Sequence, residues 1–192
     1  MKTHFRKLLV VGLLALALAV PQGGAASAIS ATTSAPAVRA QSQAPTTDLE
    51  NAVVKTLLSL PTYGVYDNLY FVVNGSDVTL KGQALYEVTK AEAGKRVGKL
   101  RGVAKVINEI EVLPPSPSDD ALRASLAQAI FGKADLDRYG RGPDSSIHII
   151  VKGGHVTLEG MVSNANDKQR VEMVSKSVPG IMSFANNLRT DK

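Results

Sequence analysis

Two periodicities alternate along this chain. Leu49, Val53, Leu57 and Leu60 recur at helical spacing after Thr47-Asp48, which supplies a helix cap. Two β-branched or aromatic runs follow, Leu69-Tyr-Phe-Val-Val and Val78-Thr-Leu, around the turn Asn74-Gly75-Ser76-Asp77. Such runs around a Gly-containing turn predict a β-hairpin. A second helix is predicted over about 85–101, ending at Gly102, where glycine can take the left-handed C-cap conformation. A last strand then runs through 103–112. The series starts again after the break Pro114-Pro115-Ser116-Pro117-Ser118, which can continue neither a helix nor a central strand. Ser118 or Asp119 caps a helix bearing Leu122, Leu126, Ala129 and Ile130. A hairpin follows from Ile147–Val151, Gly153-Gly154 and Val156-Thr-Leu, then a helix over 163–178 ending at Gly180, then a strand over 181–188.

The recurrence is also written in the letters. Val-Thr-Leu-Lys-Gly at 78–82 matches Val-Thr-Leu-Glu-Gly at 156–160. Sliding the chain by 78 aligns it without a gap from Val72 onward: Val73 meets Val151, Gly102 meets Gly180, Asn108 meets Asn186, and Ile110 meets Leu188. Upstream, Tyr63-Gly64 meets Tyr139-Gly140 at a shift of 76. One small unit was duplicated. The predicted fold class is α+β: two tandem two-layer sandwiches of order α-β-β-α-β, each a three-stranded sheet with both helices on one face. The first spans 48–113, the second 119–190, and 114–118 is a Pro-rich linker. Gly82 and Gly160, closing the second strand of each hairpin, mark a bulge or a close backbone approach.

Composition narrows the function classes. Apolar residues make up 44% of the 192, enough for a core, while Trp is absent and aromatics are only 5%, which disfavours a base-stacking platform. With no Cys there are no disulfides, thiolate metal sites or lipid-modified cysteine. The start has the parts of an export signal: basic MKTHFRK, the 13-residue apolar run Leu8–Val20, and an Ala26-Ser27-Ala28 cleavage pattern. That run falls short of the roughly 20 residues a spanning helix needs, so cleavage after Ala28 is expected, with an uncleaved anchor as the alternative. Residues 29–47, rich in Ala, Ser, Thr, Pro and Gln, read as a flexible spacer. The net charge of +5 shrinks once 1–28, with Lys2, Arg6, Lys7 and no acid, is set aside, which argues against a nucleic-acid binder.

The element order, Gly-x-Val-Thr-Leu-x-Gly, and the later Gly-Val/Ile-x-x-Val/Phe-x-Asn-x-Ile/Leu together resemble the BON domain of bacterial osmotically inducible periplasmic proteins and nodulation-related proteins. In the second copy the resemblance rests on Gly154, Val156–Gly160, Gly180-Ile181 and Asn186-Asn187-Leu188; in the first, on Ser76-Asp77 and Leu100–Val103. It covers 48–112 and 119–190. The resemblance implies a non-enzymatic module of the periplasm that binds phospholipid surfaces and serves envelope integrity or osmotic and stress tolerance. Members that are lipoproteins carry a lipidated Cys; this chain has none, which favours a periplasmic form without that anchor.

No chemistry-bearing constellation competes with that reading. His148 falls within a strand and His155 at a hairpin turn, on different strands of the predicted hairpin, so His148 is read as structural and no metal site is expected. Asp135, Asp137 and Asp144 lack the spacing and closing Glu of a calcium loop. Neither a phosphate-binding Gly-x-x-x-x-Gly-Lys-Ser/Thr nor a nucleophile Gly-x-Ser-x-Gly occurs. No catalytic residue, cofactor, small-molecule substrate or nucleic acid is expected. Charge is the informative feature. Lys90, Lys95, Arg96, Lys99, Arg101 and Lys105 lie within 16 residues against Glu92 alone. On the predicted helix Ala93, Val97 and Leu100 form an inward stripe, with Lys95 and Lys99 opposite and Arg96 flanking. Lys95, Arg96 and Lys99 are therefore candidate contacts to anionic lipid headgroups. On the second copy the candidates are Lys168, Arg170 and Met173, where Met173 either touches acyl chains or packs on the first unit. The alternative function is a protein-interaction module that recruits an envelope partner, such as an outer-membrane assembly factor or a cell-wall enzyme, by adding a strand to an exposed hairpin edge.

Overall fold

The computed structural model describes residues 44–141 and 145–190, so the expected signal 1–28 and most of the spacer 29–47 lie outside the described residues. The first unit comprises α1 (Ala44–Leu58), β1 (Asn68–Asn74), β2 (Asp77–Ala84), α2 (Glu87–Val97), β3 (Lys105–Asn108) and β4 (Glu111–Val112). The second comprises α3 (Pro117–Phe131), a 3-10 turn at Asp137–Gly140, β5 (Ile147–Lys152), β6 (His155–Val162), α4 (Ala165–Lys176), β7 (Ser183–Asn186) and β8 (Arg189–Thr190). The α+β class and the order α-β-β-α-β hold in both units.

Each sheet is built around its second strand. β1 runs antiparallel to β2 with Phe71 opposite Leu80, and β3 runs parallel to β2 with Val78 opposite Val106. The second unit repeats this, with Ile149 opposite Leu158 and Val156 opposite Phe184. The expected third strand is interrupted, and its continuation, β4 or β8, pairs further along the same central strand. The interruption explains the repeated asparagine. Asn108 Nδ2 donates to the Lys90 carbonyl at 2.8 Å, and its Oδ1 accepts from Ile110 N. Asn186 does the same with the Lys168 carbonyl, Glu172 and Leu188 N. The amide thus ties the broken strand to the helix above it.

Alternation along the central strands places the cores. Val78, Leu80 and Ala84 point inward against Leu49, Val53, Leu57, Ala93 and Val97. Val156, Leu158 and Val162 meet Leu122, Leu126, Ile130 and Val171. Both helices of each unit therefore cover one sheet face.

Several helix ends differ from expectation for identifiable reasons. α1 begins at Ala44, inside the stretch read as spacer and ahead of Thr47-Asp48. α3 is capped by Ser116, whose hydroxyl accepts from Asp119 N at 3.3 Å, with Pro117 at the first helical position. Neither Ser118 nor Asp119 is the cap. Asp119 Oδ1 and Oδ2 instead accept from Gly154 N (2.9 Å) and Gly153 N (2.7 Å), clamping the β5–β6 turn to the helix. α2 and α4 end at Gly98 and Ser177, both right-handed, so Gly102 and Gly180 are not C-caps. These two glycines do have positive φ, 93° and 92°, but they turn the connection from helix to strand.

Of the two readings, bulge or close approach, the geometry at Gly82 and Gly160 is that of a close approach. Their φ angles are 106° and 117°, and a Cβ on either would lie 1.8 Å from the Asn68 carbonyl oxygen or 2.0 Å from that of Ser146. Gly160→Ala should cost about 3 kcal/mol or more, from backbone strain and displacement of the neighbouring strand. Gly75→Ala, at φ 63° with open space around it, should cost only about 1 kcal/mol. Chemical denaturation of the two variants beside the parent chain tests this difference.

Candidate functional site

The basic candidates of the first unit follow one another along the end of α2 and the turn into β3. α2 carries Lys95 and Arg96, and both engage Glu92, at 3.4 and 3.0 Å. These contacts hold the Glu92 carboxyl below its usual range, the Arg96 hydrogen bond contributing most. Because α2 stops at Val97, Lys99 does not sit on the helix as expected. It lies with Arg101 in the turn beyond, and Lys105 opens β3. Lys99, Arg101 and Lys105 are exposed and make no ion pair with a described residue. Helix carbonyls at the end of α2 favour cations there. Arg101 and Lys105 belong to the run of bases in the sequence, but a helix predicted through 101 spreads that run along its length, whereas α2 ends at Val97.

The second unit does not repeat this run. Arg170 pairs with Asp135, and Lys176 with Glu172 at 2.6 Å. Lys168 is half-buried. Met173 is 71% exposed, so it does not pack on the first unit, and Met182 is 74% exposed in the turn before β7. Lys168, Arg170 and Met173 lie on one helix but form no concentrated charge.

A joint between the units was not legible in the chain. β5 is buried along Ile147–Val151 on both faces, whereas β1 is buried on one. The covering segment comes from the first unit. The Val65 carbonyl accepts from Ile149 N at 2.7 Å, Tyr66 packs against the second core, and the Tyr63 hydroxyl lies 3.4 Å from His148 Nε2. Asp67 anchors the segment, accepting from Gly64 N (2.8 Å) and Leu85 N (2.7 Å). Burial raises its carboxyl, and those two bonds partly oppose the rise. Further along the same edge Arg123, 2% exposed, donates to the Val151 carbonyl at 2.5 Å and to Asp120. Lys152 and Glu111 pair across the joint at 2.5 Å, above an open cleft of about 490 Å³ floored by Leu113 and Ile150. His155, at the rim of the cleft, hydrogen-bonds Ser183 through Nδ1 at 2.6 Å.

The two Tyr-Gly motifs have different jobs. Tyr63 faces the joint, while the buried Tyr139 donates to Asp167 at 2.5 Å. Asp167 also accepts from Arg138 (2.5 Å) and from Asn164 Nδ2 (3.1 Å), while Asn164 caps α4, its Oδ1 accepting from Asp167 N at 2.8 Å. Its carboxyl is held below the usual range, chiefly by the Tyr139 hydrogen bond. In the first unit Thr89 stands at the matching position and bonds Thr62. Among the described residues no group of three or more His, Asp or Glu could hold a metal ion, and no helix is long and apolar enough to cross a membrane.

A BON domain family model matches residues 68–114 and 118–192. The chain belongs to the BON-domain family. The match falls in two successive segments, so this is a tandem BON protein, and the family is one of envelope-associated, generally non-enzymatic proteins. No curated protein matches the chain. Two solved structures of CdsD, a structural protein of the type III secretion system of Chlamydia trachomatis, are each 14% identical to it. One, the C-terminal domain, has a TM-score of 0.31 and the other 0.29; they cover 76% of this BON chain and 98% and 94% of their own. TM-scores this low are no basis for a shared arrangement or partner.

The joint makes stability depend on the charge of His148. Its imidazole is buried, and burial lowers its pKa while the backbone of Gly64 and Asp67 partly opposes. The Tyr63 hydroxyl and the backbone of Gly64 and Asp67 face it from the joint, and Glu159 is its cross-strand partner. A histidine lowered in the folded state stabilises above its unfolded pKa. That contribution is lost as pH falls from about 6.5 toward the folded value. Thermal unfolding between pH 7.5 and pH 5 should show the parent BON protein losing more stability than His148→Gln, whose own loss at pH 7.5 is separated by comparing slopes.

Proposed function

We propose that this tandem BON protein docks reversibly on anionic phospholipid surfaces of the cell envelope through the basic run of its first unit. It thereby serves envelope integrity or tolerance of osmotic stress from the periplasm, to which the export signal read in residues 1–28 would deliver it. The observation that carries this reading is the exposed trio Lys99 and Arg101, in the turn after α2, and Lys105, at the start of β3 opposite Asp77, none of which makes an ion pair with a described residue. Lys95 and Arg96 extend the surface but share Glu92, so their net charge is reduced. Each base placed at an anionic surface contributes about 1 kcal/mol. Three supply about 3 kcal/mol, a weak attraction on the millimolar scale. Binding of this kind reverses readily and fades with salt, because exposed charges are screened within about 10 Å at 0.1 M. Lys168, Arg170 and Met173 form the weaker counterpart, and Met173 and Met182 offer apolar contact beside it. The mechanism is binding alone.

Co-sedimentation with vesicles of neutral and of anionic lipid, at low and high salt, tests the reading. Binding should require anionic lipid and fall steeply with salt. The Lys99→Glu/Arg101→Glu/Lys105→Glu variant should lose it, at least tenfold in affinity by the same per-charge figure. Lys95→Glu/Arg96→Glu should lose less, because those two bases are already paired. Equal binding to neutral vesicles, or full binding by the triple variant, would exclude the basic run.

A further inference from the structure

The two hairpins present the same strand edge, and the chain covers only one of them. In β5 the edge groups are Ile149 N, which donates to Val65, and Val151 O, which accepts from Arg123. The register is the same in both units, so the equivalent groups in β1 are Phe71 N and Val73 O. No described residue outside the sheet hydrogen-bonds the backbone of Leu69, Phe71 or Val73. Tyr70 and Val72, on the face turned away from the core, are 43% and 41% exposed, and Ile107 on β3 extends the same face.

Exposed edges are normally blunted by charge, proline, a bulge or short length. β1 has none of these: it is seven residues, Asn-Leu-Tyr-Phe-Val-Val-Asn, regular in its pairing with β2 and without Pro or charge. Its sequence is also matched to itself. About a two-fold axis at Phe71, an antiparallel second copy places Phe71 opposite Phe71, Leu69 opposite Val73, Tyr70 opposite Val72, and Asn68 opposite Asn74. The open N–H and C=O groups of Leu69, Phe71 and Val73 then exchange hydrogen bonds. Tyr70 and Val72 become the non-hydrogen-bonded pairs, where side chains approach most closely and where aromatic and β-branched partners suit each other. A shift of one residue would set core-facing side chains against exposed ones, and a shift of two would leave strand ends unpaired, whereas this register pairs all seven residues of β1.

We propose that β1 is a homodimerisation edge, joining two copies of the chain into one continuous sheet across their first units. The interface repeats on β1 a kind of contact the molecule already makes on β5, whose equivalent edge receives a neighbouring backbone. It is isologous, so assembly stops at two copies. The proposal does not depend on lipid binding. Other occupants of this edge would be the chain before residue 44 or an extended peptide of another protein.

The full chain, expressed from residue 1 and purified as the cell leaves it, should sediment as a concentration-dependent dimer. Val72→Lys should raise the dissociation constant at least about fivefold, since two cross-strand pairs are lost. Tyr70→Glu/Val72→Lys should restore the dimer by setting a carboxylate opposite each ammonium. In this chain without native cysteine, Tyr70→Cys/Val72→Cys should form an intermolecular disulfide on oxidation, because such pairs have Cα atoms about 4.5 Å apart. Circular dichroism and thermal unfolding establish that each variant is folded, as both side chains are exposed. A monomer at every concentration would overturn the proposal and leave the edge to another occupant. So would a dimer indifferent to Val72→Lys, or one that the double variant fails to restore.

Discussion

A β-strand edge leaves a row of backbone donors and acceptors without partners, and the rest of this molecule is arranged around where that edge is covered. On β5 the connector 63–67 of the first unit lies against it, with the Val65 carbonyl on Ile149 N and Tyr66 set against the second core. A buried guanidinium closes the next position along. Burying polar backbone without partners is costly, and a hydrogen bond from a charged group such as Arg123 is among the stronger ways to avoid it. Asp67 then holds the connector from behind. Because the connector belongs to the first unit and the strand it covers to the second, while Arg123 closes the edge from within the second unit, the two units are not independent beads.

That joint accounts for the divergence between the copies. His148 replaces Tyr70 at the repeat position, and Ile150 replaces Val72. In β1 these side chains face solvent; in β5 the neighbouring unit buries them. The Tyr-Gly motif divides in the same way. Tyr139 stays within its own unit, bound to Asp167, while Tyr63 turns outward to the joint. Duplication supplied two equal scaffolds, and the contact between them removed the equality.

Charge follows the same division. In the second unit two of the helix bases, Arg170 and Lys176, are tied to Asp135 and Glu172, which reduces the field outside the protein. In the first unit Lys99 and Arg101 fall in the turn where α2 has ended, and Lys105 opens β3 opposite Asp77; none makes an ion pair with a described residue. Exposed pairs contribute little stability, so the main consequence of this placement is at long range, on whatever surface approaches those bases.

Much of the fold was legible in the chain. The apolar period of α1 and α3, the alternation in β2 and β6, and the repeat itself determine two α+β sandwiches, because local periodicity reports which face an element buries. Gly82 and Gly160 marked a bulge or a close approach, and the folded chain has the latter, since only a residue without Cβ fits so near a neighbouring carbonyl. Helix ends were less legible. Ser116 and Asp119 are both good cap residues, and only the folded β5–β6 turn, with two N–H groups awaiting a carboxylate, decided which of them caps and which clamps. Lys99 belongs to a helical face only if α2 runs on to Gly102; the sequence offers two glycine stops, Gly98 and Gly102, and the folded chain uses the first. The chain by itself therefore determined class, order and core. The tertiary structure alone decided which edge is covered, which bases are free and what His148 faces, because each is settled by residues dozens of positions away that the local pattern cannot weigh.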